Sequence, residues 1–396
     1  MEAAADPESS ATGVERAVIL LASSLTVMAS AIVSPSLSNI AEEFAAVPNI
    51  ELLSRLVLTG PALMIALSAS FVGALVDRFG RRPTLIGGMV LYALAGTSGL
   101  YLSDIYTLLV GRLVLGVAVA ACMTTAVTVI GDRFTGEARN RFMGLQAAFM
   151  SAGGVVYVIV GGLLADFHWR GPFAVYGFAA VLAAVAMLGL RESKSPSSDQ
   201  AASDEKAPVG LIATLSVLAL LAMILTYLIP TQLPFLLRGQ LSVSATKIGF
   251  AIAAMTAAST VGSLAFPRVV ERAGRRGTLC LAFILPSLGL LGLSQASGYG
   301  DVVASTAILG GGMGFVLPSV VTWVTEVTPS AIRGRVMGVL TMCFFLGQFL
   351  SPLVAAPLAQ QGLAGADGLF ARMAWGSAAV ALAIAFWALA ARQKRA

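Results

Sequence analysis

Four charges fall within six residues, Asp77 to Arg82, in the stretch GALVDRFGRRPT (73–84), between two long apolar runs. An aspartate at a helix end can accept hydrogen bonds from a neighbouring helix N-terminus and meet its positive dipole. Arg81 and Arg82 can form charge-assisted hydrogen bonds with acids on adjacent loops, Asp132 being the natural candidate. The second landmark is Arg112, which lies well inside an apolar run, eight residues past Asp104. An arginine at that depth costs roughly 2.5 to 3.5 kcal/mol on insertion scales, so it needs a polar cavity or a partner. Two readings are open: Arg112 faces a polar cavity as a functional group, or backbone carbonyls and waters hold it within helix packing.

What the apolar runs lack is also informative. All 20 acids are expected in tails, loops or the ends of runs, with Glu42, Glu43, Glu51, Asp104, Asp166, Asp301 and Asp367 on one side and the rest on the other. No carboxylate is therefore expected at mid-depth, and coupled protons would have to use Asp104, Asp301, a surface acid or an indirect route through Arg112. A binding region with an arginine and no acid would favour neutral or anionic ligands over permanent cations. The single histidine, His168, sits in a polar loop, DFHWRG, where histidine is normally solvated. Cys122, Cys280 and Cys343 lie far apart in apolar runs with no CxxC pair, so neither disulfide nor metal is expected. There is no HExxH or GxSxG, and GGGMG (310–314) follows no strand. An enzyme reading has no residues to rest on, and no cofactor is expected.

These residues are positioned by a chain that is 57% hydrophobic and 11% charged, with a mean hydropathy of +0.87. Soluble domains carry about a quarter of their residues as charges, so this is the composition of a polytopic membrane protein. The net charge of +5 comes in short bursts between apolar runs, which indicates topology rather than a nucleic-acid surface. A window of about 20 residues, the length needed to cross the hydrocarbon core, gives twelve spans. They lie near 17–39, 54–76, 83–101, 105–131, 141–165, 171–190, 209–237, 247–267, 277–297, 301–325, 333–358 and 369–391. No cleavable signal peptide is expected, because residues 1–16 are polar and acidic and the first run is long enough to span. One side of this map carries nineteen basic residues, and the other carries five, Arg55, Arg170, Arg238, Lys247 and Arg372. That imbalance orients both termini toward the cytoplasm.

The polar stretch RESKSPSSDQAASDEKAP (191–208) has no apolar face and is expected to be a cytoplasmic linker. The expected organisation is a tail (1–16), a six-helix bundle (17–190), the linker, a second bundle (209–391) and a tail (392–396). The halves repeat. At an offset of 194 residues, DRFGRRPTL (77–85) lies on ERAGRRGTL (271–279), Gly116 on Gly310, Asp132 on Glu326, and ARNRFMG (138–144) on IRGRVMG (332–338). One offset holding at separated landmarks implies two parallel six-helix repeats related by an axis along the membrane normal. Arg275 and Glu326 then become the counterparts of Arg81 and Asp132.

At this point the sequence resembles the major facilitator superfamily, whose loop between helices 2 and 3 is written G-x-x-x-D-R-x-G-R-[RK]. Gly73, Asp77, Arg78, Gly80, Arg81 and Arg82 all match, and Glu271 to Arg276 fall where the superfamily repeats the motif. GRLVLG, with Arg112 and Gly116, is similar to its helix 4 pattern R-x-x-x-G, in which the arginine is implicated in proton coupling or anion binding. Helix 5 resembles the drug:proton antiporter branch through Gly144, Gly153, Gly161 and Gly162, but Tyr157-Val158 stands where that branch has Gly-Pro, so its usual kink is not expected.

The resemblance implies an all-α membrane protein of the major facilitator fold, a bacterial inner-membrane protein acting as a monomer by alternating access. It implies proton-coupled efflux of amphipathic small molecules or drugs, with an organic-anion or lysolipid carrier independent of protons as the alternative. It also implies that Asp77, Arg78, Arg81, Arg82, Asp132, Glu271, Arg275 and Glu326 latch the cytoplasmic face. Helices 1, 4, 7 and 10 would line the central path, flanked by 2, 5, 8 and 11. The substrate contacts so implied are Arg112, Met28, Tyr157, Tyr227, Thr256, Met313, Phe345 and Gln348. Methionines and aromatics there suit variable apolar ligands. Pro230 and Pro234 predict a bend near the outer end of helix 7.

Overall fold

The computed structural model describes residues 13–190, 208–360, 362–365 and 368–393. The tail before Gly13, the linker 191–207 and residues 394–396 lie outside that set. Eleven helices among the described residues are long and apolar enough to cross a membrane, and one of them, Ala245–Ser294, is two helices joined at Gly274. In chain order they are α1 (Gly13–Ala31, prolonged by a 3-10 turn and Leu37–Glu43), α2 (Ile50–Phe79), α3 (Arg81–Gly96), α4 (Ile105–Arg133), α5 (Gly136–Phe167) and α6 (Gly171–Gly189). Then follow α7 (Val209–Leu241), α8 and α9 on either side of Gly274, α10 (Tyr299–Val327, broken after Met313), α11 (Ser330–Ala359) and α12 (Leu369–Gln393).

The first helix starts at Gly13 rather than near residue 17, and this brings Glu15 into the fold. Glu15 is fully buried and pairs with Arg133 at 3.0 Å, tying the start of α1 to the end of α4. Glu15 lies at a span end, where the acids are expected, but it is buried there rather than solvated in a tail. The partner makes burial tolerable, since a lone buried carboxylate would be far more costly.

The turn between α2 and α3 shows why the repeat keeps a glycine. Gly80 has φ 92 and ψ 168, and Gly274, 194 residues on, has φ 69 and ψ 171. Side chains rarely adopt that region, so both halves make the same sharp turn through a residue without Cβ. Two large apolar cores result, one drawn from α1–α4 and α6 and the other from α7–α12 with Val158 of α5, beside a smaller cluster of Ile19, Ile130 and Phe142 from α1, α4 and α5. Large apolar side chains such as Phe71, Leu188, Leu264 and Phe386 are left exposed, a surface that lipid accommodates.

The loops at Gly80 and Gly274 mark one end of the molecule, here the basic face; the other end is the far face. The halves meet mainly through α5 on α8, α11 on α2, and the end of α1 on α7. Near the far face these contacts are specific. Pro234 has no N–H, so the Pro230 carbonyl loses its helical donor. Ser34 of the other half supplies one, its hydroxyl donating to Pro230 O at 2.8 Å. The Ser30 and Tyr227 hydroxyls also meet across the halves at 3.2 Å.

Candidate functional site

A cavity of roughly 400 Å³ lies between the halves, lined by α1, α2, α4, α5, α7, α10 and α11. Its walls are Met123, Met150, Met223 and Met337, with Phe344, Phe345 and aliphatic residues, and its polar groups are Thr26, Ser30, Tyr227, Thr341 and Gln348. Among the described residues no charged one lines it. A smaller pocket continues it toward the far face, sharing Ser30 and Tyr227 and adding Thr256 and Pro230. Toward the basic face it runs into a space of roughly 750 Å³ between Thr124, Val127 and Thr128 of α4 and Gly334, Arg335 and Gly338 of α11. The halves are thus parted at the basic face between α4 and α11, while at the far face α5 meets α8 and α1 meets α7 beside a surface cleft of roughly 520 Å³ between Glu42, Glu51 and Arg55 and Phe235 and Arg238.

Of the eight expected contacts, Tyr227, Phe345 and Gln348 line the cavity and Thr256 lines its extension. Tyr157 does not: its hydroxyl meets Ser24 at 2.8 Å, fastening α5 to α1. Met28 is fully buried in the first core, because Thr26, Val27 and Ser30 take the cavity face of α1 and position 28 points the opposite way. Met313 ends the first segment of α10, just before its break, and packs into the second core.

Arg112 is the main correction. It is fully buried and absent from the cavity wall. Its Nε donates to Val57 O at 2.8 Å, one Nη to Tyr176 Oη at 2.9 Å and the other to Ala29 O; Tyr176 itself donates to Ala29 O at 2.8 Å. Each carbonyl acceptor is a gap in helical bonding. Pro61 lacks the N–H that would bond Val57 O, and Ala29 lies in the last turn of α1, where carbonyls have no helical donor. The repeat supports a structural role. Position 306, the counterpart of 112, is a buried Thr306 whose hydroxyl donates to Ala251 O at 3.2 Å, and Ala251 is the counterpart of Val57.

The charges at the basic face pair within each half. Arg81 Nε donates to Asp132 at 3.0 Å, with side chains only 7% and 13% exposed, and Arg275 pairs with Glu326 at 48% and 44%. The exposed pair is worth about 0 to 1 kcal/mol, and the buried one resists solvent screening better. Arg82 donates to the Met187 carbonyl, and the Arg78 guanidinium rests 5.5 Å from the Phe79 ring centre. Asp77 and Glu271 are exposed and make no hydrogen bond or ion pair among the described residues. Among the described residues no hydrogen bond or ion pair joins the two charge clusters across the halves.

Asp104 and Asp301 cap helices. Asp104 accepts the Thr107 N–H at 2.9 Å at the start of α4, and Asp301 accepts the Ser297 and Gly298 N–H groups at 3.1 and 3.0 Å before α10. Neither reaches the cavity.

Sequence reasoning missed the four cavity methionines, Thr341 and Phe344. On α11 the signal was available: 337, 340, 341, 344, 345 and 348 all line the cavity and follow the three-and-four spacing of one helix face.

Models of the Major Facilitator Superfamily match residues 19–219 and 215–396. The chain is 24% identical over 366 residues to the tetracycline resistance protein, class B, of Escherichia coli, covering 89% of this chain and 90% of that one. It is 23% identical over 298 residues to multidrug resistance protein 1 of Bacillus subtilis (strain 168), covering 72% and 75%. Among solved structures it is similar to the inward open conformation of the xylose transporter XylE from E. coli, with a TM-score of 0.75, 15% identity, and 93% and 94% of the two chains covered.

Proposed function

The chain belongs to the Major Facilitator Superfamily, and from that premise we propose that it exports amphipathic small molecules from the cytoplasm in exchange for protons. The observation that carries this reading is the uncharged, methionine-rich and aromatic wall of the cavity between the halves. Methionine side chains are unbranched and polarizable, so they accommodate ligands of different shape, and the few hydroxyl and amide groups orient a polar end. With Arg112 held in helix packing, the cavity offers no fixed charge to a permanent ion. The relatives named for tetracycline and multidrug resistance support efflux as the direction.

On this reading the basic face is cytoplasmic, cargo enters there, and release follows closure of that face and opening of the far one. The latch residues act in the second step, when Asp77 and Glu271 regain partners across the halves. Separate, exposed contacts of this kind bias a two-state equilibrium without locking it. Because no carboxylate lines the cavity, proton coupling is assigned to groups outside it. An anionic amphiphile, lysolipids included, is the competing cargo, favoured by Arg335 on the wall of the space at the basic face.

Proteoliposomes loaded with tetracycline or an uncharged amphipathic dye test the proposal. Efflux is expected to accelerate several-fold when a pH gradient is imposed with the far side acidic. A rate indifferent to the gradient sinks the antiport claim, and transport of lysolipid alone selects the competing cargo.

A further inference from the structure

At the far face, the first N–H groups of α8 have no helical acceptor, a requirement at any helix start. Ser244 takes the Lys247 N–H at 3.4 Å from within the same half. The other two donors are taken from the opposite half. Asp166, at the end of α5, accepts the Ala245 N–H at 2.7 Å, the Thr246 N–H at 3.1 Å and the Thr246 hydroxyl.

Three hydrogen bonds to one carboxylate, set at the positive end of a helix, make this the densest polar contact between the halves among the described residues. Glu42 and Arg238 also bridge the halves, at 3.1 Å; Asp166 is itself exposed, but it holds backbone N–H groups fixed by a helix start, whereas that pair joins two long side chains free to part. Beneath Asp166 the two helices nearly touch. A Cβ on Gly162 would come within 2.6 Å of Ala245 O, and one on Gly249 within 2.8 Å of Val158 O. The carboxylate therefore sits where any separation of α5 from α8 must break its bonds. The contact is also one-sided: the 194-residue offset sets Asp166 on Gln360, which is exposed and uncharged.

We propose that Asp166 is the residue that ties the far face shut, and that breaking its bonds to Ala245 and Thr246 is the step that admits the outward-open state. Asp166 is a positioning residue: it touches no cargo and acts through the start of α8. The proposal rests on alternating access and is independent of cargo identity. Hydrogen bonds to a charged group are stronger than neutral ones, and an amide keeps only one accepting oxygen, so the uncharged isostere Asp166→Asn should shift the balance by tenfold or more.

The test uses the full chain in liposomes, with Cys122, Cys280 and Cys343 replaced by serine and one reporter cysteine added, labelled by a membrane-impermeant maleimide. Ala31→Cys reports on the closed far side, and Thr128→Cys on the open basic side. Asp166→Asn is expected to label at least tenfold faster at position 31 and more slowly at position 128, and Asp166→Glu to restore part of the wild-type pattern. Rates unchanged in the Asn variant overturn the proposal, as do rates raised at both positions, which indicate general loosening. If tetracycline or the uncharged dye never moves the two reporters in opposite directions in the wild type, alternation itself fails, a result distinct from a silent Asp166→Asn.

Discussion

Replacing Arg112 by alanine is expected to cost the folded state about 3 to 5 kcal/mol, because it removes a buried charged donor from three acceptors at once. Val57 O would be left with neither a helical donor, which Pro61 excludes, nor its side-chain substitute. Tyr176 would keep its bond to Ala29 but lose the guanidinium that its ring and hydroxyl both meet. The measurement is thermal unfolding of purified protein in detergent, with the recovered monodisperse yield as a second readout. A sharp fall in both is expected for Arg112→Ala. Arg112→Lys should recover only part, since one ammonium cannot reach three acceptors in fixed directions. A variant that keeps wild-type stability while losing substrate affinity would return Arg112 to the binding site.

The second large effect is expected at Gly162. Ala245 O and the Thr246 Cα would lie 2.6 and 2.9 Å from a Cβ at this position, and both are backbone atoms that no rotamer change can move aside. Valine there adds three carbons to a gap with room for none. The clash lies between the halves, so the chain can relieve it by holding the far face apart and leaving each core intact. Gly162→Val is therefore expected to fold, to shift its melting temperature little, and to lower transport turnover by about a hundredfold, trapped open at the far face. Initial rates of dye efflux from proteoliposomes check this. Undiminished efflux would show that α5 and α8 need not close, and a collapse in stability would place the clash inside one half.

Much of this architecture was legible in the sequence because the membrane imposes a length. Spans had to be about 20 apolar residues, and the 194-residue offset fixed their pairing. The turn glycines and the partners of Arg81 and Arg275 were readable for the same reason: a repeated acid and a repeated arginine imply a repeated contact. The site was less legible. Sequence gives the depth of a residue in the membrane but not the direction it faces, so Arg112 and Met28 were put at the right level on the wrong side. For Arg112 a stronger clue was present, since Pro61 announces an orphaned carbonyl at Val57 on a neighbouring helix. Glu15 escaped because its burial depends on where α1 begins, the kind of boundary that apolar runs define poorly. Asp166 is a different case. Nothing in a lone acid at a span end says that it will cap a helix of the other half.

The central claim is that an uncharged cavity between the halves holds the cargo by apolar contact. Its most direct test is equilibrium binding of an uncharged amphipathic fluorophore to the purified protein and to Met150→Asp, which sets a charge on the cavity wall at a residue that belongs to neither core. A carboxylate facing an apolar ligand is expected to weaken binding at least tenfold while leaving the melting temperature nearly unchanged. Equal affinity in the two proteins would place the cargo elsewhere and contradict the account.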